Sequence, residues 1–146
     1  MAATGTRNDP LASFNFIVTI ENVRAGFSEI SGLSTETDVI EYREGSDPIH
    51  MRKLPGKFKV GNINCKRGYT ANGVDLWTWR KSVMDGKPLR LSGTITLRNE
   101  AQQAALTWQF TGGWPSKWAG PAFNAKNNEV AIEELEICVE TLALMP

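Results

Sequence analysis

Any chemistry performed by this chain must be built from few parts. It has one histidine, His50, so a metal site of clustered His and Cys ligands is not available, and a Ser-His-Asp triad would depend on that one imidazole in an exposed loop. The nearest approach to a nucleophile elbow, Gly26-Phe27-Ser28-Glu29-Ile30, lacks the second glycine of G-x-S-x-G. Gly112-Gly113 is followed by Trp114-Pro115 rather than by Lys and Ser, so there is no phosphate loop. Glu134 and Glu136 sit two apart on an extended run, which puts their backbones roughly 6.5–7 Å apart, near the separation of an inverting glycosidase pair. Every i, i+2 acidic pair on a strand has that spacing, so charge pairing across an interface is the simpler reading. Trp114 and Trp118 could stack against a sugar, although aromatics over a barrel mouth serve packing more often. Cys65 and Cys138 both lie in strand-like runs and read as reduced, packed thiols. Catalysis is not expected, and nothing calls for a cofactor or a metal.

The elements that must position these residues are mostly strands. Phe14, Phe16, Val18 and Ile20 alternate with Asn15, Ile17, Thr19 and Glu21, and a turn at Glu21 to Arg24 leads to a second strand from Ala25 to Leu33, expected to pair with the first. Thr35 to Glu44 continues as a strand in which Ile40 and Tyr42 share one face and Thr37, Glu41 and Arg43 the other. Its hairpin partner is expected over Phe58 to Arg67, with Ile63 and Cys65 inward and Asn62, Asn64 and Lys66 outward. The tip between them, 45–56, is overlong for a hairpin. It carries Ser46, Asp47, Pro48, Ile49, His50, Met51, Arg52, Lys53 and Leu54, a mixture of apolar and basic residues suited to landing on another surface.

One helix follows. Asn72-Gly73 offers a start, Asp75 suits the positive end of the helix dipole, and Gly86 suits a left-handed C-terminal residue. Leu76, Trp79 and Val83 form one stripe, and Trp77 and Met84 a second, so the helix either plugs an open barrel end or also touches a neighbouring subunit. Leu89 to Leu97 and Ala104 to Thr111 alternate as strands, the ladder is expected to break or bend at Gly112 to Pro115, and Ser116 to Asn128 reads as turn-rich. The last strand, Val130 to Leu144, places Leu135, Ile137 and Val139 on one side and Glu134, Glu136, Cys138 and Glu140 on the other. The sum is a mainly β chain: an antiparallel β-sandwich or barrel of about seven strands with one flanking helix.

The 146 residues read as one domain, 1–146, with a flexible N-terminal segment over 1–11. Sixteen basic and sixteen acidic residues leave no net charge, hence no field to recruit nucleic acid or an anionic membrane. No apolar run is long enough to span a bilayer, and the N-terminus lacks the basic start and apolar core of a signal peptide, so assembly in the producing cell's cytoplasm is expected. Charged sheet faces, a two-striped helix and an apolar hairpin tip together suit a subunit that joins its sheet edges to identical neighbours.

The ordered segments Phe14-Asn15-Phe16-Ile17-Val18, Ala25 to Leu33, Ile40 to Gly45, Lys53 to Gly56, Asn62 to Gly68 and Ala131 to Glu136 resemble the contractile-phage tail tube family. That family includes the inner-tube proteins of extracellular contractile injection systems. The resemblance spans nearly the whole chain and implies homohexameric rings stacked into a rigid hollow tube inside a contractile sheath, similar in architecture to the secreted ring protein of type VI secretion. It implies partners in the sheath protein, in baseplate or spike and terminal cap proteins, and in cargo, either effector protein or DNA, within the lumen. It implies neither membrane insertion nor sequence-specific nucleic-acid binding by this chain. Carried onto this sequence, Thr37, Glu41, Arg43, Asn62, Asn64 and Lys66 are candidates to line the lumen, and Ser46 to Leu54 to reach the adjacent ring. Trp77, Met84, Glu134, Glu136 and Glu140 are candidates for contacts between subunits. The alternative reading is a monomeric carbohydrate-binding β-sandwich module built on Trp114 and Trp118.

Overall fold

The computed structural model describes residues 9–23, 26–45, 51–126 and 128–145. Its elements run β1 (Phe16–Ile20), β2 (Phe27–Ser31), β3 (Thr35–Tyr42), β4 (Arg52–Val60), β5 (Ile63–Gly68), α1 (Asp75–Met84), β6 (Leu91–Arg98), β7 (Ala104–Ala119), β8 (Ile132–Cys138) and β9 (Thr141–Met145). Seven strands form one antiparallel sheet in the order β1-β6-β7-β8-β5-β2, with β9 also on β7, while β3 and β4 pair only with each other. The sheet is open and does not close into a barrel within one subunit.

The spine is β7. Its first half pairs with β6 and β9, and its second half, from Trp114 to Ala119, pairs with β8. Gly112 has a positive φ of 65°, a backbone only glycine adopts without strain, and it sits where the strand changes partners. Pro115 lies within β7 and does not end it, and the turn-rich reading of Ser116 onward is corrected as far as Ala119. The two halves bring their apolar sides together over one core of Val18, Ile20, Leu91, Ile95 and Phe110 from one half and Ile63, Cys65, Leu135 and Ile137 from the other. Phe110 is fully buried because Gly93 and Gly113 leave room for it; a Cβ on either would come within 2.7 Å of the ring.

The helix closes this core with Leu76 and Trp79. Trp79 donates its indole N–H to the Leu89 carbonyl at 2.7 Å, satisfying the one polar atom that its burial would strand. Gly86, at φ 80°, ends the helix, and the Lys87 N–H bonds back to Ser82 at 3.0 Å, as the glycine signal implied.

Three pairings differ from the sequence expectation. β1 pairs with β6 rather than with β2, and β2 lies against β5. The single last strand is two, β8 and β9, parted by a turn at Glu140. The partner of β3 is not the run ending at Arg67 but Arg52–Val60, and Ile63–Gly68 is a separate strand of the main sheet.

Cys65 is 2% exposed, and burial pushes its thiol up to about 12. An unfolded thiol titrates near about 8.5, so the native state holds this proton more tightly. The stabilisation is complete below the unfolded value and is lost as pH rises toward 12. Unfolding free energy is expected to fall by roughly 1.4 kcal/mol per pH unit in that window. Denaturant titrations at about pH 8 and about pH 10.5 check this, with the slope reduced in Cys65→Val.

Candidate functional site

The surfaces that could carry function are a projecting hairpin, a charged sheet face and the helix side turned away from the core. A buried charge row ties the last two together.

In the hairpin every residue of β3 is exposed, and β4 is nearly as open. Cross-strand partners share a face, so one side holds Thr35 with Val60, Thr37 with Phe58, Val39 with Pro55 and Glu41 with Lys53. The other side holds Glu36 with Lys59, Ile40 with Leu54 and Tyr42 with Arg52, with Lys59 also 3.5 Å from Asp38. Each side thus carries exposed apolar residues beside paired opposite charges. Between the pairs Thr37–Phe58 and Val39–Pro55 the register shifts by one, and the extra residue is on β4, so alternation along β3 is unbroken. Thr37 and Glu41 therefore share one face, as alternation implied, and Ile40 and Tyr42 share the other. Ile40 and Tyr42, expected inward, are 50% and 46% exposed, and Phe58 is 72% exposed. Arg52, Lys53 and Leu54, read as part of the tip, belong to β4, and the connection runs from Arg43 to Met51. The readings of Ser46, Asp47, Pro48, Ile49 and His50 lie outside the described residues.

Asn64 and Lys66, assigned with the hairpin to one polar face, lie instead on the outer side of β5, and Asn62 just precedes that strand. Two rows cross this face: Glu29, Lys66, Glu134 and Ala119, then Ser31, Asn64, Glu136 and Lys117. Lys66 sits 3.4 Å from Glu29 and 3.6 Å from Glu134. Glu29 and then Glu134 raise its pKa by hydrogen bonding and charge. Glu136 accepts a bond from the Ser116 hydroxyl at 3.3 Å. The candidate glycosidase pair is therefore part of a lysine-bridged face that also holds two of the lumen candidates. Glu140 lies apart, in the β8–β9 turn, 3.7 Å from Arg90.

On the inner side of the same strands the sequence reading missed a charge cluster. Arg67 and Glu133 are both fully buried. The Arg67 guanidinium donates to Glu133 at 2.8 Å and 3.2 Å and to Asp75 at 2.5 Å and 2.9 Å. The Trp118 indole N–H donates to the second Glu133 oxygen at 3.2 Å, and the Phe27 ring lies 5.7 Å from the guanidinium carbon. Burial opposes the charge on Arg67, but bonds to Asp75 and Glu133 outweigh it and raise its pKa. Burial, then the charge of Glu133, pushes the Tyr69 phenol up. Asp75 is thus more than a helix-dipole residue: it fastens α1 to the sheet. The row Phe27, Arg67, Glu133, Trp118 spans β2, β5, β8 and β7 from edge to edge.

Trp118 continues outward to Trp77 of α1, edge to face with centroids 4.9 Å apart. Trp77 and Met84 are 40% and 51% exposed, so the second helical stripe faces away from the core. Trp118 opposes Leu135 and Trp114 opposes Cys138, with a register shift between them. That shift turns Trp118 inward and Trp114 outward, so no two-tryptophan platform is assembled. Among the described residues no group of three or more His, Cys, Asp or Glu is placed to hold a metal ion. Nor is any described helix long and apolar enough to cross a membrane.

The family described as T4-like virus tail tube protein gp19 matches residues 12–143. The chain is similar to one in the cryo-EM structure of the PVC extracellular contractile injection system sheath-tube complex in the extended state. Identity there is 25%, covering 99% of this chain and 97% of that one, with a TM-score of 0.88. It is also similar to a chain of the anti-feeding prophage baseplate in a 6-fold symmetrised reconstruction, at 25% identity over 95% and 97% of the two chains with a TM-score of 0.81. In fold alone it is similar to Hcp1 from Flavobacterium johnsoniae, at 14% identity over 90% and 94% with a TM-score of 0.56. No curated protein sequence matches the chain.

Proposed function

The chain belongs to the T4-like virus tail tube protein gp19 family, and from that premise we propose that it forms homohexameric rings that stack into the inner tube of a contractile particle. The observation that carries this reading is the β3–β4 hairpin, whose apolar residues have no cover within the subunit. An isolated two-stranded hairpin is marginally stable in water, and Val39 and Phe58 exposed on one side with Ile40, Tyr42 and Leu54 on the other fit contact with neighbours. The open edges of the main sheet suit ring closure in the same way. Six-fold symmetry is supported by the anti-feeding prophage baseplate relative.

The face bearing Asn64, Lys66, Glu134 and Glu136 is assigned to the bore. Lys66 is already bridged to two carboxylates within the subunit, so the wall offers few strong sites to hold passing cargo. Thr37, Glu41 and Arg43 then belong to the hairpin arm, and Asn62 to its base. Residues 46–54 reach the next ring, and Trp77 and Met84 of α1 meet a neighbouring protein. The sheath surrounds the tube and drives it through a target envelope by contraction, while baseplate and cap proteins complete the particle. Effector protein or DNA passes along the bore, and the subunit is a passive wall rather than an enzyme. Electron microscopy of the purified protein at rising concentration tests this: rings and then tubes are expected, and monomers persisting at every concentration would overturn it.

A further inference from the structure

The β3–β4 hairpin joins the body of the subunit through two short connections, Gly32-Leu33-Ser34 after β2 and Gly61-Asn62 before β5. Beyond them β3 and β4 pair only with each other, and no other described element packs extensively on either. The ion pairs Lys59 with Asp38 and Arg52 with Glu44 also stay inside the hairpin. Its direction relative to the main sheet is therefore set where the two connections cross.

At that crossing the chain is tight rather than loose. Gly32 has a φ of 90°, which a side chain would strain, and a Cβ on it would overlap the Asn62 carbonyl oxygen. A Cβ on Gly61 would overlap the Ser34 hydroxyl in return, and the Gly61 N–H donates to the Ser34 carbonyl at 2.8 Å. Each connection thus sets a glycine against the other, and a hydrogen bond closes the pair. Leu33 and Val60, next to these glycines, pack against the main core. A hinge would show the opposite, glycines in open space with no bond across. Gly45 sits that way at the far end of the hairpin, with nothing within 4 Å of its Cβ position.

We propose that this two-glycine crossing is a locked elbow, which holds the hairpin at one angle to the main sheet in the free subunit and presents it preformed to a second copy. What the hairpin meets rests on the tube-subunit reading; the fixed angle does not. An arm already aligned loses little conformational freedom when it docks, whereas a swinging one must be ordered on contact. Strain put into the elbow has one easy outlet. With no further packing to break, an overlap at Gly32 is relieved by turning the hairpin rather than by unfolding the core. Clearing it by about 1 Å across a strand spacing of about 4.8 Å is a rotation of roughly 12°. The 9 residues of β4 span roughly 30 Å, so its far end moves by about 6 Å.

Pulsed electron–electron distance measurements on the free subunit test this. Spin labels go on Met51→Cys, at the far end of β4, paired in turn with Lys87→Cys and with Lys117→Cys on the body. The background is Cys138→Ser, and Cys65, which is buried, stays. The wild-type elbow is expected to give one narrow distance for each pair. A hairpin swinging freely through about 20° would spread them over about 10 Å, and that result would overturn the proposal. Gly32→Ala is expected to move at least one of the two distances by about 4 Å or more while the urea midpoint of the subunit stays close to wild type. It should also raise the protein concentration needed for tubes by at least about tenfold. Unmoved distances in a folded Gly32→Ala protein would overturn the elbow as well, and a Gly32→Ala protein that unfolds would show that the crossing belongs to the core. Moved distances with tubes growing as in wild type leave the elbow standing and sink the hairpin's part in assembly; a wild-type protein that never assembles sinks the tube reading alone.

Discussion

Arg67→Met is expected to lower the unfolding free energy of the subunit by roughly 3–5 kcal/mol, because it leaves a buried carboxylate without its counter-charge. Glu133 is fully buried, and after the substitution its oxygens keep the Trp118 indole but lose every contact with the guanidinium. Asp75 differs, since its side chain is 23% exposed and can recover water, so Asp75→Asn should cost only about 1–2 kcal/mol. The double variant Arg67→Met with Glu133→Leu removes both charges and should be more stable than Arg67→Met alone, a coupling expected of residues in direct contact. Urea unfolding followed by tryptophan fluorescence checks the order, with the midpoint moving at constant slope. If Arg67→Met falls within about 1 kcal/mol of wild type, the cluster is not a structural tie. The loss should also reach assembly: Arg67 and its partner Glu133 link Phe27 on β2 to Trp118 on β7, across the half-sheet assigned to the bore, and Asp75 anchors the helix beside them.

That cluster shows where the sequence was readable and where it was not. Alternation correctly turned Val18 and Ile20, Ile63 and Cys65, Leu91 and Ile95, and Leu135, Ile137 and Val139 inward. The same parity places Arg67 in series with Ile63 and Cys65, and Glu133 in series with Leu135 and Ile137, so the signal for a buried pair was present in the residue order. Each charge taken alone reads as the fraying end of a strand. They become a pair only when β5 is known to lie against β8, and period-two patterns say which face a residue takes, never which strand lies alongside. The same gap produced the expected β1–β2 pair, since successive strands are neighbours in most sheets but not in all. A break or bend was expected at Gly112 to Pro115 because proline interrupts a ladder; the strand continues, and Pro115 lies beside a register shift, where an interruption is tolerated. In the hairpin the faces of β3 followed from alternation, but an alternating apolar side looks alike whether it covers its own core or awaits a neighbour. The composition of Ile40, Tyr42, Leu54 and Phe58 said that they would be covered, and only the fold shows that the subunit does not cover them.

Ile40→Ser together with Phe58→Ser is therefore expected to leave the folded subunit almost unchanged and to abolish tube growth. The two side chains are 50% and 72% exposed, so little apolar burial within the subunit is lost, and the unfolding free energy should move by no more than about 0.5 kcal/mol. Ile40 and Phe58 lie on opposite sides of the hairpin, which should itself persist because Glu36 stays against Lys59 and Glu41 against Lys53. In the assembly the balance is different. Covering a large apolar side chain contributes about 1.5–3 kcal/mol, so two substitutions remove roughly 3–6 kcal/mol from each hairpin contact, and every subunit of a ring brings one. A loss of that size raises the protein concentration needed for growth by at least about a hundredfold. Thermal or urea unfolding of the variant beside electron microscopy separates the two effects. Unchanged unfolding with no tubes is the expected pair of results. Tubes growing at the wild-type concentration would mean that these apolar residues stay in solvent and that some other surface drives the stack. Ile40 gives this test its sharpness: a Cβ on Gly56 would lie 3.0 Å from the Ile40 side chain, so the glycine lets Ile40 lie low across the hairpin and makes that side a flat surface suited to a neighbour.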